Sequence, residues 1–257
     1  MSSDARTRLS AWMKARVSDA GARGIVVGSS GGIDSAVVLG LAAHALPGAV
    51  VGVMMPCHSD PTDEAHARMA AEHFGVHALH IDLAGAYDGL TGDLLTAIAA
   101  LPRGEFPVAP ADEVDPRARL PLANVKPRLR MATLYFVANT LNYLVAGTGN
   151  RSELSIGYFT KYGDGGVDML PIGRLVKSEV RALARELGVP EPIIEKPPSA
   201  GLWAGQTDEG EMGFTYADLE RYLNGGSGAV AAPIADTITR LARASEHKRS
   251  LPPMPPA

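Results

Sequence analysis

The stretch Gly24-Ile25-Val26-Val27-Gly28-Ser29-Ser30-Gly31-Gly32-Ile33-Asp34-Ser35 decides the fold of this chain. Its apolar first half predicts a buried strand, and the run Ala36-Val37-Val38-Leu39 after the glycines predicts a helix. A strand that leads through a glycine-rich turn into a helix directs backbone N–H groups and the helix dipole at one spot, which suits a phosphate. Asp34 would repel that phosphate unless a cation lay between them. The stretch therefore predicts Mg²⁺ bound together with phosphate groups.

The spacing of the glycines separates this turn from two commoner nucleotide-binding turns. A Walker A loop ends in Gly-Lys-Ser/Thr, and no lysine stands here. The dinucleotide fingerprint needs a different glycine spacing. Ser-Gly-Gly-x-Asp-Ser resembles instead the pyrophosphate loop of the ATP pyrophosphatases, which cut ATP between its α and β phosphates. A βα turn whose glycines only serve packing is the alternative.

Strand and helix patterns alternate along much of the chain. Strands are predicted over residues 26–27, 50–54, 77–81 and 143–147. Helices are predicted over residues 5–22, 35–45, 62–74, 87–101, 124–141, 177–187 and 233–248, with Pro127 in the first turn of its helix. This alternation predicts an α/β fold with a doubly wound parallel sheet flanked by helices. Ligands of such sheets lie beyond the carboxyl ends of the strands, where the glycine-rich turn falls.

Two stretches break the alternation. Residues 102–121 carry five prolines, and residues 192–213 contain prolines and glycines without an apolar period. We expect both to be irregular or mobile loops within a single domain that spans residues 1–257. Thr215, with Asp218 three residues on, is predicted to cap a helix.

Composition and charge exclude several classes of protein. The one cysteine, Cys57, leaves no intramolecular disulfide and no CxxC metal or redox site. A net charge of −4 gives no electrostatic reason to expect a nucleic-acid partner. No apolar run is long enough for a membrane span, and the first residues lack the apolar core of a signal peptide. We therefore expect a cytoplasmic protein with neither nucleic-acid nor membrane partners.

A polar cluster, Gly147-Thr148-Gly149-Asn150-Arg151-Ser152-Glu153, follows the fourth predicted strand. Adjacent strand ends of a doubly wound sheet converge on one crevice, so Glu153 is predicted to face Asp34. Two carboxylates together with phosphate oxygens make an ordinary ligand shell for Mg²⁺. Ser152-Glu153 as the simple start of a helix is the alternative.

A second dense cluster is Tyr158-Phe159-Thr160-Lys161-Tyr162-Gly163-Asp164-Gly165-Gly166-Val167-Asp168. Aromatic rings with converging polar groups suit a planar ligand that carries charged appendages. Taken alone, the cluster would more simply be a glycine-rich hairpin turn.

All these blocks occur in the order and spacing of the NAD synthetase family, which the chain resembles over most of its length. The set also contains Asn124-Val125-Lys126-Pro127-Arg128-Leu129-Arg130-Met131, Leu170-Pro171 and Lys177-Ser178-Glu179-Val180. Pro197-Pro198-Ser199-Ala200-Gly201-Leu202-Trp203 and Thr207-Asp208-Glu209 resemble the family's mobile loop over ATP, and Ser245-Glu246-His247-Lys248-Arg249 resembles its C-terminal signature. The resemblance implies a Rossmann-like fold of the adenine-nucleotide α-hydrolase type, in the N-type ATP pyrophosphatase family.

The resemblance also implies an activity, that of an ammonia-dependent NAD(+) synthase, a ligase that forms a C–N bond. The adenylyl group of ATP passes to the nicotinate carboxylate of deamido-NAD with release of pyrophosphate, and ammonia then displaces AMP. Mg²⁺ and Lys177 would offset the charge of the triphosphate. Asp164 would bind ammonium and take a proton from it.

The site residues of the family carry over to matching positions of this sequence. By resemblance, ATP is held by Gly28, Ser29, Ser30, Gly31, Gly32, Ile33, Asp34, Ser35, Thr148, Lys177 and Ser199, where Ser199 replaces the family's frequent threonine. Deamido-NAD is held by Arg128, Lys161, Asp168, His247 and Lys248. Mg²⁺ is held by Asp34 and Glu153, and Asp164 and Lys177 have catalytic roles.

The segment that begins at Gly147 departs from one common pattern of the family. Many bacterial ammonia-dependent members have Gly-Thr-Asp-His-x-x-Glu there, whereas this chain is more similar to archaeal members and to glutamine-using enzymes. The latter carry an N-terminal amidase domain with a catalytic cysteine. Only about two dozen residues precede the first predicted strand, so we expect no amidase domain. Ammonia is then the direct nitrogen donor, unless a separate glutaminase delivers it.

Two other classes of protein compete with this interpretation. A different ATP pyrophosphatase, such as a tRNA-thiolating enzyme or a GMP synthetase, is one; thiolation needs catalytic or cluster cysteines, and Cys57 stands alone. A nucleotide sensor without turnover is the other, and it would be expected to lose Asp34 or Glu153.

The resemblance further implies a two-fold homodimer. The predicted helix over residues 124–141 is apolar on more than one face, which is compatible with cover by a second copy. Burial of that helix within its own chain is the alternative.

Overall fold

The apolar runs of the sequence form the strands of a parallel sheet in the computed structural model, which describes residues 4–102, 116–199, 201, 203 and 206–255. The strands are β1 Gly24–Gly28, β2 Val50–Met54, β3 His77–His80 and β4 Tyr143–Ala146. The described helices are α1 Asp4–Asp19, α2 Ile33–Ala45, α3 Pro61–His73, α4 Ala84–Ala99, α5 Pro116–Leu141, α6 Arg151–Ile156, α7 Lys177–Leu187, α8 Glu191–Ile194, α9 Asp208–Met212, α10 Tyr216–Gly225 and α11 Ala232–Ala244, with 3₁₀ turns over Ser227–Ala229 and Glu246–Lys248. None of these helices is long and apolar enough to cross a membrane.

The strands are ordered β3-β2-β1-β4 and all neighbours pair in parallel. In β1, Ile25 lies opposite Val50 of β2 on one side and opposite Leu144 of β4 on the other. The chain moves outward from β1 to β3 and then returns to place β4 beside β1. The predicted doubly wound sheet is therefore confirmed, and its switch point lies between β1 and β4, where ligands of such folds bind.

Helices cover both faces of the sheet because successive side chains of β1 point in opposite directions. Ile25 and Val27 lie in a core with α1, α2, α3 and α7. Val26 lies in the opposite core, with residues of α4 and α5 such as Tyr87 and Val137. A strand buried on both faces is continuously apolar, which is the pattern that revealed β1 in the sequence.

A third apolar cluster joins α6 to the last helices of the chain. Ile156 of α6 packs with Phe214, Leu219 of α10 and Ile238 of α11. The capping box predicted at the start of α10 is present, because Thr215 and Asp218 bond each other's backbone N–H groups. This cluster brings the C-terminal 3₁₀ turn against the segment that follows α6.

The long helix α5 begins earlier than the sequence predicted. The expected loop over residues 102–121 is wrong for residues 116–121, and residues 103–115 lie outside the described part of the chain. Pro116 occupies the first helical position, where a missing N–H costs nothing. Pro121 and Pro127 lie inside the helix, so the placement of Pro127 in the first turn is also wrong. Burial of Ala123, Val137 and Ala138 offsets the hydrogen bonds that the prolines remove.

The expected irregular stretch over residues 192–213 is corrected at both ends. Its first residues, 192–194, belong to α8, in which Ile193 and Ile194 are buried in the core. It ends with α9, which Thr207 caps by accepting a hydrogen bond from the backbone N–H of Gly210. Residues 200, 202, 204 and 205 lie outside the described residues, and the described residues between α8 and α9 form neither helix nor strand.

The glycine-rich turn needs a glycine at position 31 for two reasons. Gly31 has a φ of 78°, in the left-handed region that other residues adopt at a cost. A Cβ atom at this position would also overlap the backbone carbonyl of Asp63 at the start of α3. The turn is thus pressed against the first turn of a neighbouring helix, which holds it at the end of the sheet.

We predict that Gly31→Ala destabilises the protein more than Gly48→Ala. Gly48 has the same φ of 78° but open space around it, so its substitution has only the backbone cost. Overlap with Asp63 should lower the free energy of unfolding by about a further 1–3 kcal/mol. Urea unfolding of the two variants measures the difference, and equal midpoints would show that the contact with α3 is unimportant.

Candidate active site

A cavity of about 1020 Å³ opens at the carboxyl ends of β1, β2 and β4. It contains most of the predicted ATP, metal and catalytic residues. Those that line it are Gly28, Ser29, Ser30, Gly32, Ile33, Asp34, Ser35, Thr148, Glu153, Asp164, Lys177, Ser199 and Lys248. The sequence had predicted the crevice from strand ends alone, and the structure places the cavity there.

The turn after β1 places the start of α2 at the wall of this cavity. Ser35 Oγ donates to the carbonyl of Gly32, and the backbone N–H of Ser30 donates to Ser35 Oγ at 3.3 Å, which braces the turn. Gly32 caps α2 without a side-chain hydrogen bond. The first N–H groups of a helix lack intrahelical acceptors, so this end of α2 is suited to bind an anion.

A buried lysine joins the two carboxylates that were predicted to share a metal. Lys177, only 3% exposed, begins α7 and places its Nζ against Asp34 and 3.5 Å from Oε1 of Glu153. Asn150 donates to Oδ1 of Asp34 at 3.0 Å. Glu153 also accepts from the backbone N–H of Asn150 in a capping box, so it begins a helix as well as lining the cavity.

The groups of this cluster have shifted pKa values. Burial, followed by the neighbouring charge of Asp34, raises the pKa of Glu153 to about 8. Burial lowers the pKa of Lys177, but Asp34 and Glu153 outweigh that effect, so the pKa lies above its ordinary value. Lys177 therefore stays protonated, whereas ionisation of Glu153 costs free energy in the folded protein.

Asp208 is a buried acidic residue of this cluster that the sequence did not single out as a site residue. It is 4% exposed and accepts hydrogen bonds from the hydroxyls of Tyr216 at 2.8 Å and Tyr158 at 3.2 Å. Burial raises the pKa of Asp208 above its ordinary value. The cap Thr207 followed by acidic residues was the available signal, but it lay in a stretch expected to be irregular.

Asp164 lies in a tight turn on another wall of the cavity. Its Oδ1 accepts from the backbone N–H of Thr160 at 2.8 Å. Lys248 steadies the segment before it by donating to the carbonyls of Gly157 and Phe159. Asp164 is exposed because it faces the open cavity, yet the surrounding protein atoms raise the pKa of its carboxyl group. The Thr160 hydrogen bond and the charges of Lys248 and Arg130 oppose that rise.

The residues predicted for deamido-NAD divide into three groups. Lys248 lines the cavity. Arg128, Lys161 and His247 are near one another outside it, since Arg128 donates to the carbonyl of Lys161 and Lys161 donates to that of His247. Asp168 lies elsewhere.

Asp168 has a structural role that its predicted ligand role did not anticipate. Its carboxylate accepts from the hydroxyl of Tyr135 at 2.9 Å and from the backbone N–H of Val145 at 2.7 Å. These bonds tie α5 to β4. The structure therefore places Asp168 at a helix–strand junction and not among the residues that line the cavity.

The described residues contain no group of three or more His, Cys, Asp and Glu side chains arranged to hold a metal. Asp34 and Glu153 are thus two donors that would need phosphate oxygens or water to complete the shell of a Mg²⁺ ion.

A doubly wound parallel sheet, a serine- and glycine-rich turn at its switch point, and a buried lysine between two carboxylates define a nucleotide-binding α/β enzyme. The NAD synthase family model matches residues 6–252. The chain belongs to the NAD synthase family.

Relatives and solved structures agree with this assignment. The NH(3)-dependent NAD(+) synthetase of Carboxydothermus hydrogenoformans is 51% identical over 95% of this chain and 93% of its own length. The structure of an NMN synthetase from Francisella tularensis has a TM-score of 0.87 and 34% identity, over 98% of each chain. That of an NH3-dependent NAD synthetase from Campylobacter jejuni has a TM-score of 0.78 and 26% identity, over 100% of each chain.

We predict that the ligand-free Glu153→Gln variant becomes more stable than the wild type as the pH rises. The pKa of Glu153 is about 8 in the folded protein and near 4.5 in the unfolded chain, so the folded state binds more protons between these pH values. The wild-type protein therefore loses stability as the pH rises from 4.5 to 8. Glutamine still accepts from Asn150 but does not ionise. The melting temperature of the variant should exceed that of the wild type at pH 8 and match it near pH 4.5. Glu72→Gln, at an exposed position, should show no such trend.

Proposed function

We propose that this chain amidates deamido-NAD to NAD with ATP and ammonia, releasing AMP and pyrophosphate. The convergence of Asp34, Glu153 and Lys177 beside the glycine-rich turn, in a cavity that Asp164 also lines, supports this proposal. Family membership and the 51% identity to an NH(3)-dependent NAD(+) synthetase support it further.

Adenylyl transfer explains why a phosphate-binding turn and a cation occur together. Ammonia does not displace oxide from a carboxylate, so the carboxylate is first joined to AMP. The N–H groups at the start of α2 bind phosphate oxygens, and Lys177 offsets negative charge that gathers on the leaving pyrophosphate. Ser199 and Thr148 line the same cavity and are proposed ATP contacts.

The acidic pair fits Mg²⁺ as judged by its donors. Asp34 and Glu153 offer hard carboxylate oxygens beside the glycine-rich turn. Burial first, and the charge of Asp34 second, raise the pKa of Glu153, so a bound cation would favour its ionised form. These two residues would hold the ion, which supplies charge neutralisation for the triphosphate when bound.

Asp164 is proposed to act in the amidation step. Ammonia is mostly ammonium at neutral pH, and a carboxylate with a raised pKa is a better acceptor for its proton than an ordinary aspartate. Lys248 holds the backbone on which this carboxylate depends. The positions of Arg128, Lys161 and His247 outside the cavity suit the far end of an extended acceptor.

A second acceptor, nicotinate mononucleotide, is favoured by one comparison. The similar structure from Francisella tularensis is that of an NMN synthetase. Both acceptors carry the same nicotinate carboxylate, so the chemistry at Asp164 and Lys177 is unchanged. The two activities differ only in how much of the acceptor the protein binds.

The experiment for the proposed function measures pyrophosphate release with ATP, ammonium and each acceptor in turn. We expect release that depends on the acceptor, with deamido-NAD giving the higher kcat/KM. Ammonium should support amide formation at concentrations at which glutamine does not. Adenine-nucleotide binding without turnover on either acceptor would contradict the proposal and favour a sensor.

We predict that Asp34→Asn loses at least about 100-fold in pyrophosphate release while it keeps its fold. The substitution removes a charge at the cavity and leaves the apolar core intact. Asp19→Asn, at an exposed position of α1, is the matched control and should retain full activity. Near-normal turnover by the Asp34→Asn variant would exclude Asp34 as a metal ligand.

We also propose the homodimer implied by the sequence. On α5, Phe136 is 75% exposed, although the opposite side of the helix packs on the sheet. The neighbouring helix α4 shows an apolar stripe on its outer side. Its members are Leu90, Leu94, Ile98 and, just beyond the helix, Leu101. An exposed apolar surface over two adjacent helices suits cover by a second copy of the chain.

Light scattering should give a mass of twice 26.9 kDa at micromolar concentration. Phe136→Glu should shift the protein toward monomer, because a charge would be buried in an apolar contact. Leu251→Glu, at a more exposed site in the C-terminal segment, should not. A monomeric mass for the wild type would contradict the dimer.

A cytoplasmic location and delivery of ammonia by a separate glutaminase stay predictions from the sequence. Comparison of ammonium with glutamine plus a glutaminase would separate the two nitrogen sources.

A further inference from the structure

Arg130 is a partly buried cation in the cavity that the proposed reaction has not yet used. It lies on α5, and its Nε donates to the carbonyl of Met55 at 3.2 Å. Its Nη2 donates to Oγ of Ser59, also at 3.2 Å. Both acceptors are neutral and belong to the segment between β2 and α3. A guanidinium has five N–H donors, so donors remain for a ligand.

The surroundings of Arg130 leave its positive charge incompletely balanced. Burial lowers the pKa of the guanidinium, and the electrostatic influence of Cys57, Asp164 and Asp63 opposes that effect without cancelling it. An arginine nonetheless stays protonated in proteins. A partly buried charge whose hydrogen-bond acceptors among the described residues are neutral is held at a cost, and an anionic ligand in the cavity would lower that cost.

The position of Arg130 relates it to the phosphate-binding turn. Arg130 lies at the carboxyl end of β2, because its Nε donates to the carbonyl of Met55, the residue that follows this strand. One turn beyond Arg130, Leu134 contacts the beginning of the turn, since a Cβ at Gly28 would lie 3.3 Å from Leu134 Cδ1. Arg130 therefore flanks the turn on the β2 side, whereas Lys177 flanks it on the β4 side.

We propose that Arg130 binds the α-phosphate of the nucleotide, the group that is transferred with the adenylyl moiety. This inference rests on the adenylyl transfer proposed above. In that step an oxygen of the acceptor carboxylate bonds to the α-phosphorus. The bond from that phosphorus to the bridging oxygen breaks, and pyrophosphate leaves with the electron pair. No proton moves, and Arg130 hydrogen-bonds the non-bridging oxygens throughout.

The competing role is that of an anchor. Arg130 joins α5 to the segment after β2, so its loss could disturb the nucleotide site through Met55 and Ser59 without any contact to phosphate. The two roles differ in which ligand they affect. An α-phosphate contact distinguishes AMP from adenosine, whereas a displaced segment weakens both.

The first experiment measures binding of AMP and of adenosine by calorimetry. Arg130→Met should weaken AMP about tenfold or more and change adenosine by less than about twofold, as expected for a hydrogen bond to a charged group. Arg130→Lys should be intermediate, because an ammonium keeps the charge but loses the planar fork. Arg16→Met, on the exposed side of α1, should match the wild type. Equal weakening of AMP and adenosine would overturn the proposal.

The second experiment measures acceptor-dependent pyrophosphate release. Arg130→Met should lower kcat about 100-fold, with the KM for the acceptor nearly unchanged. Ser59→Ala removes one of the two anchoring hydrogen bonds and keeps the guanidinium, so it should lose far less. Equal losses in these two variants, or an Arg130→Met variant within about threefold of the wild type, would overturn the proposal.

These readouts separate the inference from the function on which it rests. If the wild type releases no pyrophosphate with either acceptor, the proposed function fails, and the comparison of AMP with adenosine still decides the role of Arg130. Far-UV circular dichroism checks that the variants fold. If Arg130→Met does not fold, Arg130→Lys carries both measurements.

Discussion

The contact of the Lys177 ammonium with Asp34 and Glu153 is the interaction on which the site depends. It joins the first turns of α2, α6 and α7, three helices that start at or beside strand ends. A lysine buried to 3% exposure is tolerated only when carboxylates compensate its charge, and each carboxylate in turn needs the lysine. The pair therefore fixes the distance between the two sides of the switch point, where phosphate would bind.

The opposite wall of the cavity depends on the end of the chain. Lys248 and Arg249 donate to backbone carbonyls of the segment that runs from α6 to the Asp164 turn. The apolar cluster of α6, α10 and α11 holds the C-terminal turn in place for these bonds. The Asp164 turn, in the middle of the sequence, is thus positioned by residues more than eighty positions later.

Much of the site followed from local patterns whose physical meaning does not depend on distant contacts. The turn after β1 needs glycine where φ is positive, and apolar runs buried on both faces identify β1 and β2. The start of α5 did not follow, because a proline such as Pro121 inside a helix usually ends or prevents it, and burial of later residues of α5 against the sheet outweighs that tendency here. Asp208 was missed for a similar reason, since its burial depends on Tyr158 and Tyr216, from other parts of the chain.

The sequence by itself determined the alternation of strands and helices around the sheet, the glycine-rich turn and the family, since these depend on period, turn chemistry and spacing along the chain. The sequence predicted that Glu153 faces Asp34, but only the tertiary structure decided that Lys177 contacts both of them. Lys177 contacts both carboxylates because strand order places β4 beside β1. Packing of α5 against the sheet likewise places Asp168 against Tyr135 and Val145. It also places Arg130 at the cavity. A charge is placed by the three-dimensional surroundings that lower its energy, and those surroundings are assembled from residues far apart in sequence.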